Sequence, residues 1–243
     1  AGTDGEKVTE GLDGLRDRLA EYRELGAGFA KWRAVIKIAK GLPTHACLHA
    51  NAHALARYAS LCQEADIVPI VEPEVLMDGD HSLERSFEVT STALRMVFAE
   101  LSALNVDLRG MLLKPNMVIA GKSAAKASSV AEVAEWTLRC LQENVPAAVP
   151  GIVFLSGGQS PEQATAHLDA MNRLEGPRPW ALSFSYGRAL QEPALNTWAG
   201  KADQVEAGAQ AFLKRARLNS LASKGEYEAS LDNLEELFAS HKS

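Results

Sequence analysis

One lysine stands alone in an otherwise apolar run, Met111-Leu112-Leu113-Lys114-Pro115-Asn116-Met117-Val118. Burying an ammonium costs solvation and favours the neutral amine, which can attack a carbonyl carbon and so open Schiff-base chemistry. The alternative is a lysine whose stem lies in the core while its head snorkels to water at a strand end. Glu72 and Glu74, in Ile67-Val68-Pro69-Ile70-Val71-Glu72-Pro73-Glu74, are spaced to share one face of a strand. Burial and mutual repulsion would favour the protonated form of at least one, a state suited to proton transfer near neutrality. The alternative is a structural ion network with Lys31, Arg33 or Lys114. Lys31 and Arg33, in Phe29-Ala30-Lys31-Trp32-Arg33, also share a face, with Trp32 turned towards the sheet–helix interface. Their charge would further favour the neutral form of a nearby amine, and the fork of Arg33 suits a phosphate or carboxylate. Internal salt bridging is the other reading.

Phe154-Leu155-Ser156-Gly157-Gly158-Gln159-Ser160 and Ser183-Phe184-Ser185-Tyr186-Gly187-Arg188 each end a strand in small residues and lead into a turn. Glycines let backbone amides approach an anion, a following helix N-terminus adds a favourable dipole, and Arg188 can neutralise charge. Either motif alone is an ordinary Gly/Ser turn; together they read as a phosphate site. His45, His49 and His53 fall at four-residue spacing. A metal site is one reading; a partly exposed face of an alanine-rich helix suits the sequence better, because no acidic or thiolate ligand shares the offset.

The elements that must carry these residues alternate. Strand-like runs cover Phe29–Ile38, Ile67–Leu76, Gly110–Val118, Gly151–Leu155 and Trp180–Phe184. Helical periodicity covers Gly11–Leu25, Thr44–Glu64, Ser82–Leu104, Ser129–Glu143, Pro161–Leu174 and Val205–Ala222. Ser160-Pro161-Glu162 supplies a cap, a first-turn proline and an acid. Such alternation argues for βαβ units and a parallel sheet. An open doubly wound sheet gathers its site at one switch point, whereas a (β/α)8 barrel draws on the carboxyl ends of many strands. The polar residues lie in or at the end of every strand run, and neither GxGxxG nor GxxxxGK[ST] occurs, so a barrel is expected. A complete barrel needs about eight strands. About three βα units are therefore expected upstream of Ala1, which would make the SGGQS and SFSYGR runs strands seven and eight, where barrels commonly bind phosphate.

A chain of 243 residues is long enough for a sizeable core, and one domain over 1–243 is the expectation. Lysine plus arginine number 25 against 31 acidic residues, spread along the chain, which argues against a nucleic-acid partner. Cys47, Cys62 and Cys140 lack metal or disulfide spacing, which fits a reducing, cytoplasmic setting, with a plastid as the alternative. No apolar run approaches the length of a membrane span, so no membrane partner is expected.

With these residues assembled, the chain resembles the class I fructose-1,6-bisphosphate aldolases over nearly its whole length. AKWR at Ala30–Arg33, VPIVEPEVLMDGDH at Val68–His81, LLKPNMV at Leu112–Val118, GIVFLSGGQS at Gly151–Ser160 and WALSFSYGRALQ at Trp180–Gln191 carry the resemblance. It implies a (β/α)8 TIM barrel, of which this chain supplies about five βα units. It also implies a lyase of glycolysis and gluconeogenesis that works through a lysine imine with no metal or other cofactor, on a phosphorylated sugar, as a homotetramer. Lys114 would form the imine with the ketone carbon. Glu72 would be the acid/base of carbinolamine formation and dehydration, Glu74 its close partner, and Lys31 a catalytic lysine supporting charge and proton transfer. Ser156, the Gly157 amide, Ser185, Gly187 and Arg188 would bind the phosphate of the ketone half, with Arg33 towards the other phosphate. Two features depart from the family: its first-strand aspartate and third-strand lysine have no counterpart here, and its C-terminal tyrosine is replaced by an end in His241-Lys242-Ser243. A catalytically incomplete phosphate-binding or scaffolding relative is the alternative; a metal-dependent aldolase is a third.

Overall fold

Serine and threonine oxygens set the starts of most helices in the computed structural model, which describes residues 2–233. Thr44 caps α2 (His45–Glu64), Ser82 caps α3 (Leu83–Ala103), and Ser129 and Ser160 form capping boxes with Glu132 and Gln163 at α4 (Val130–Asn144) and α5 (Pro161–Arg173). The remaining helices are α1 (Leu15–Glu24), α6 (Arg188–Trp198) and α7 (Val205–Ala222). No helix among the described residues is long and apolar enough to cross a membrane. The terminal His241-Lys242-Ser243 lies outside the described residues.

Between the helices run β1 (Phe29–Ile36), β2 (Val68–Val75), β3 (Leu112–Leu113), β4 (Gly151–Phe154) and β5 (Ala181–Phe184). They form one parallel sheet in the order β1-β2-β3-β4-β5. The order never reverses, so there is no switch point of the doubly wound kind. Trp32, Ala34, Val71, Leu113, Ile152 and Leu182 face the helices and are buried in the main core, whereas Phe29 and Val68, on the opposite face, are 66% and 40% exposed. Helices therefore cover one face of the sheet, as in the wall of a TIM barrel. Trp32 sits where its place in the strand puts it, 5.5 Å from the Tyr58 ring of α2.

Two elements differ from the sequence expectation. The paired part of β3 is far shorter than Gly110–Val118. Lys114 still donates its backbone N–H to Val71 O at 2.8 Å, but Pro115 has no N–H, and the Asn116 side chain takes over the Val75 N–H at 3.0 Å. Helix α6 was not expected, because its periodicity is brief and Pro193 interrupts it.

Candidate functional site

The register of the first two strands decides which charges meet. Arg33 lies opposite Glu72, and Lys31 opposite Ile70, so each cation of β1 reaches diagonally to the carboxylate two residues further along β2. Lys31 Nζ stands 3.0 Å from Glu72 Oε2, and Arg33 Nε donates to Glu74 Oε2. From the next strand, Lys114 Nζ comes within 3.3 Å of the other oxygen, Glu72 Oε1. Glu72 is thus a bridge between two amines, and each carboxylate is paired with cations rather than opposed by the other. The hydrogen bond to Glu74 holds the Arg33 guanidinium above its ordinary value.

Solvent access is graded across the bridge. The side chains of Glu72 and Lys114 are 4% and 11% exposed, while that of Lys31 is 41% exposed on the open face of the sheet. A desolvated amine beside a carboxylate that also touches a second amine can form a carbinolamine and lose water, because the acid/base is within reach of the reacting nitrogen.

The second half of the site is built by β4 and β5. Ser185 N donates to Phe154 O at 2.9 Å, which brings the two strand ends side by side. After Ser156 the chain turns through Gly157 and Gly158 at φ 60° and 88°, a left-handed pair that glycine adopts without strain. No atom lies within 4 Å of where a side chain at Gly187 would begin, and Arg188 then opens α6. The result is a concavity of small residues, backbone amides, a helix N-terminus and one guanidinium, suited to an oxyanion.

The residues that hold this turn were not singled out by the sequence. Gln159 donates from its backbone N and from Nε2 to Ser156 O at 2.9 and 3.0 Å, and its Oε1 meets His167 Nδ1 of α5 at 2.5 Å. Burial pushes the His167 imidazole down to about 4. Asn116 fixes the end of β3, bonding Val75 N, Thr90 Oγ1 and Met117 O. Amide side chains in loops carry no periodic signal. The strongest cue was Gln159 directly after two glycines.

His45, His49 and His53 stack in pairs at 6.0 and 6.3 Å on α2, away from the strand ends. His49 and His53 both pair with Glu100 of α3, at 3.2 and 2.9 Å. Cys47, Cys62 and Cys140 are free and buried, and burial raises the Cys62 and Cys140 thiols to about 11.

Residues 1–242 match the family model described as fructose-bisphosphate aldolase class-I. A probable fructose-bisphosphate aldolase class 1 from Xanthomonas campestris is 57% identical over 229 residues, covering 94% of this chain and 68% of the relative. Human fructose-bisphosphate aldolase C is 54% identical over 230 residues, covering 95% of this chain and 63% of the relative. A solved structure of fructose-bisphosphate aldolase from Plasmodium falciparum, in complex with TRAP and a small-molecule inhibitor, superposes with a TM-score of 0.91 at 51% identity. That match covers 93% of this chain and 66% of the solved one. The chain thus spans about two thirds of the length of these relatives.

Proposed function

Because the chain belongs to the class-I fructose-bisphosphate aldolase family, we propose that its site cleaves fructose-1,6-bisphosphate reversibly to dihydroxyacetone phosphate and glyceraldehyde 3-phosphate through an imine on Lys114. The observation that carries this reading is Glu72 set between Lys114 and Lys31, at 3.3 and 3.0 Å. In the cleavage direction, the Lys114 amine attacks the ketone carbon. Glu72 gives a proton to the departing hydroxyl, and water leaves. The iminium is a better electron sink than the ketone, so the bond between the third and fourth carbons breaks as Glu72, now a carboxylate, takes the proton of the fourth-carbon hydroxyl. That oxygen becomes the aldehyde carbonyl, and the electrons of the broken bond form an enamine. The enamine is protonated at the third carbon and hydrolysed to release dihydroxyacetone phosphate and the free amine. Lys31 supports the charge on Glu72, and Glu74 holds Arg33 towards the phosphate of the aldehyde half. Ser156, the Gly157 amide, Ser185, Gly187 and Arg188 hold the phosphate of the ketone half.

The same reading carries a single, partial barrel domain over 1–243 and a homotetramer acting in the cytoplasm without a metal; family membership supports it. The deciding experiment is borohydride reduction in the presence of dihydroxyacetone phosphate, followed by digestion and peptide mass spectrometry. An adduct on the peptide containing Lys114 is the expected result. A folded protein that gives no adduct there would reject the imine and favour a phosphate-binding relative without activity.

A further inference from the structure

Two loops that leave neighbouring strands are laced together beside the phosphate cradle. Gly121 N donates to His81 O at 2.9 Å, Lys122 N to Met77 O at 2.8 Å, and Ser123 N to Gly79 O at 2.9 Å. The lacing fixes the backbone of Lys122 and sends its side chain over the glycine turn. A Cβ placed on Gly158 would lie 2.6 Å from Lys122 Nζ and 3.4 Å from Arg188 Nη2. An ammonium and a guanidinium therefore flank the same point, a space that exists only because residue 158 has no side chain.

Like charges converge at a cost unless an anion joins them. The carboxylate in contact with Lys122 is Asp78, at 3.2 Å, and its side chain is 66% exposed. No carboxylate among the described residues pairs with Arg188. An exposed lysine–aspartate pair is held weakly and exchanges readily with solvent or a better partner. A phosphate dianion seated on the Ser156–Gly158 turn would be that partner, since it offers oxygens to both cations at once.

We infer that Lys122 is a phosphate-binding residue of this site, parked on Asp78 when the cradle is empty and transferred to the phosphate of the ketone substrate when it is filled. The inference rests on the phosphate cradle of the proposed function and adds a cation to it. It also assigns Asp78 a definite sign, as a competitor for Lys122.

The test is calorimetric titration of the full chain with inorganic phosphate, alongside borohydride trapping with dihydroxyacetone phosphate and with unphosphorylated dihydroxyacetone. Lys122→Met should weaken phosphate binding about tenfold and lower the preference for the phosphorylated ketone by a similar factor, because a charge-assisted contact is lost. Asp78→Asn should act in the opposite direction, and Lys122→Arg should restore most of the binding. If Lys122 were only a strut between the loops, Lys122→Met and Asp78→Asn would weaken binding together, which would overturn the proposal. An unchanged affinity in Lys122→Met would overturn it as well. A wild-type protein that leaves no adduct on Lys114 would reject the imine reading alone, and the phosphate titration would still decide the role of Lys122.

Discussion

A single methyl group added at Gly121 should unlock the two loops that frame the proposed phosphate cradle. The Cβ of Gly121→Ala would lie 2.3 Å from Gly79 O, 2.7 Å from Gly79 C and 3.0 Å from His81 N. All three are backbone atoms, so no rotamer change relieves the overlap. A carbon and a carbonyl oxygen rest at about 3.3 Å or more, which means the loops must separate by roughly 1 Å. Hydrogen bonds of 2.8 to 2.9 Å between residues 121–123 and 77–81 do not survive that displacement. Overpacking costs about 1–3 kcal/mol and each lost hydrogen bond about 1 kcal/mol, the latter partly recovered from water at this partly exposed site. The net expectation is a loss of about 2–4 kcal/mol, or roughly 5–15 °C in melting temperature for a chain of this size. Urea unfolding followed by far-UV circular dichroism reads it as a lower midpoint at unchanged slope. Gly28→Ala is the control, because nothing lies within 4 Å of the position its Cβ would take. A Gly121→Ala protein within about 0.5 kcal/mol of wild type would refute the claim that these backbones need their close approach.

Lys114→Met should abolish borohydride trapping while leaving the fold intact, since the apolar chain fills the same space without opening a large cavity; continued labelling of the same peptide would reject the nucleophile. Glu72→Gln should slow imine formation about 100-fold or more, the usual scale for a positioned acid/base, with a smaller effect on phosphate affinity; rapid-quench trapping at the wild-type rate would count against it. His167 makes stability depend on pH. Its folded value is depressed to about 4, against about 6.5 when unfolded, so the unfolded chain binds the extra proton between those limits. Stability from this group is complete above about pH 6.5 and falls by about 3 kcal/mol as pH drops towards 4. His167→Asn should flatten that part of the urea-midpoint profile, and an identical profile in the variant would show that another group titrates.

Strand and helix order was legible because apolar spacing changes period between the elements, and the paired charges were legible because a spacing of two on a strand fixes a common face. What periodicity does not encode is register. Nothing in the order Lys31, Arg33, Glu72, Glu74 says that each cation reaches the carboxylate diagonal to it, since that follows from the offset of β1 against β2. Helix α6 was missed because its proline outweighs eleven residues of pattern. Gln159, His167 and Lys122 were missed for a different reason. Their partners are 3, 8 and 44 residues distant in sequence, and contacts through loops leave no repeat to read.

The diagonal pairing also separates two carboxylates that look equivalent in the sequence. Glu74 is bonded to Arg33, whose guanidinium stays charged across the accessible pH range and has no proton to exchange. In the proposed mechanism that pair would be a fixed support, keeping the Arg33 guanidinium in place for the second phosphate. Glu72 instead touches two amines through its two oxygens, and an amine can give up or accept a proton. In the proposed mechanism proton transfer would therefore run through Lys31, Glu72 and Lys114, with the more exposed Lys31 placed between the buried pair and solvent. On the proposed mechanism, the two-residue step from Glu72 to Glu74 would divide proton transfer from substrate holding, because the partner strand presents a lysine at one step and an arginine at the next.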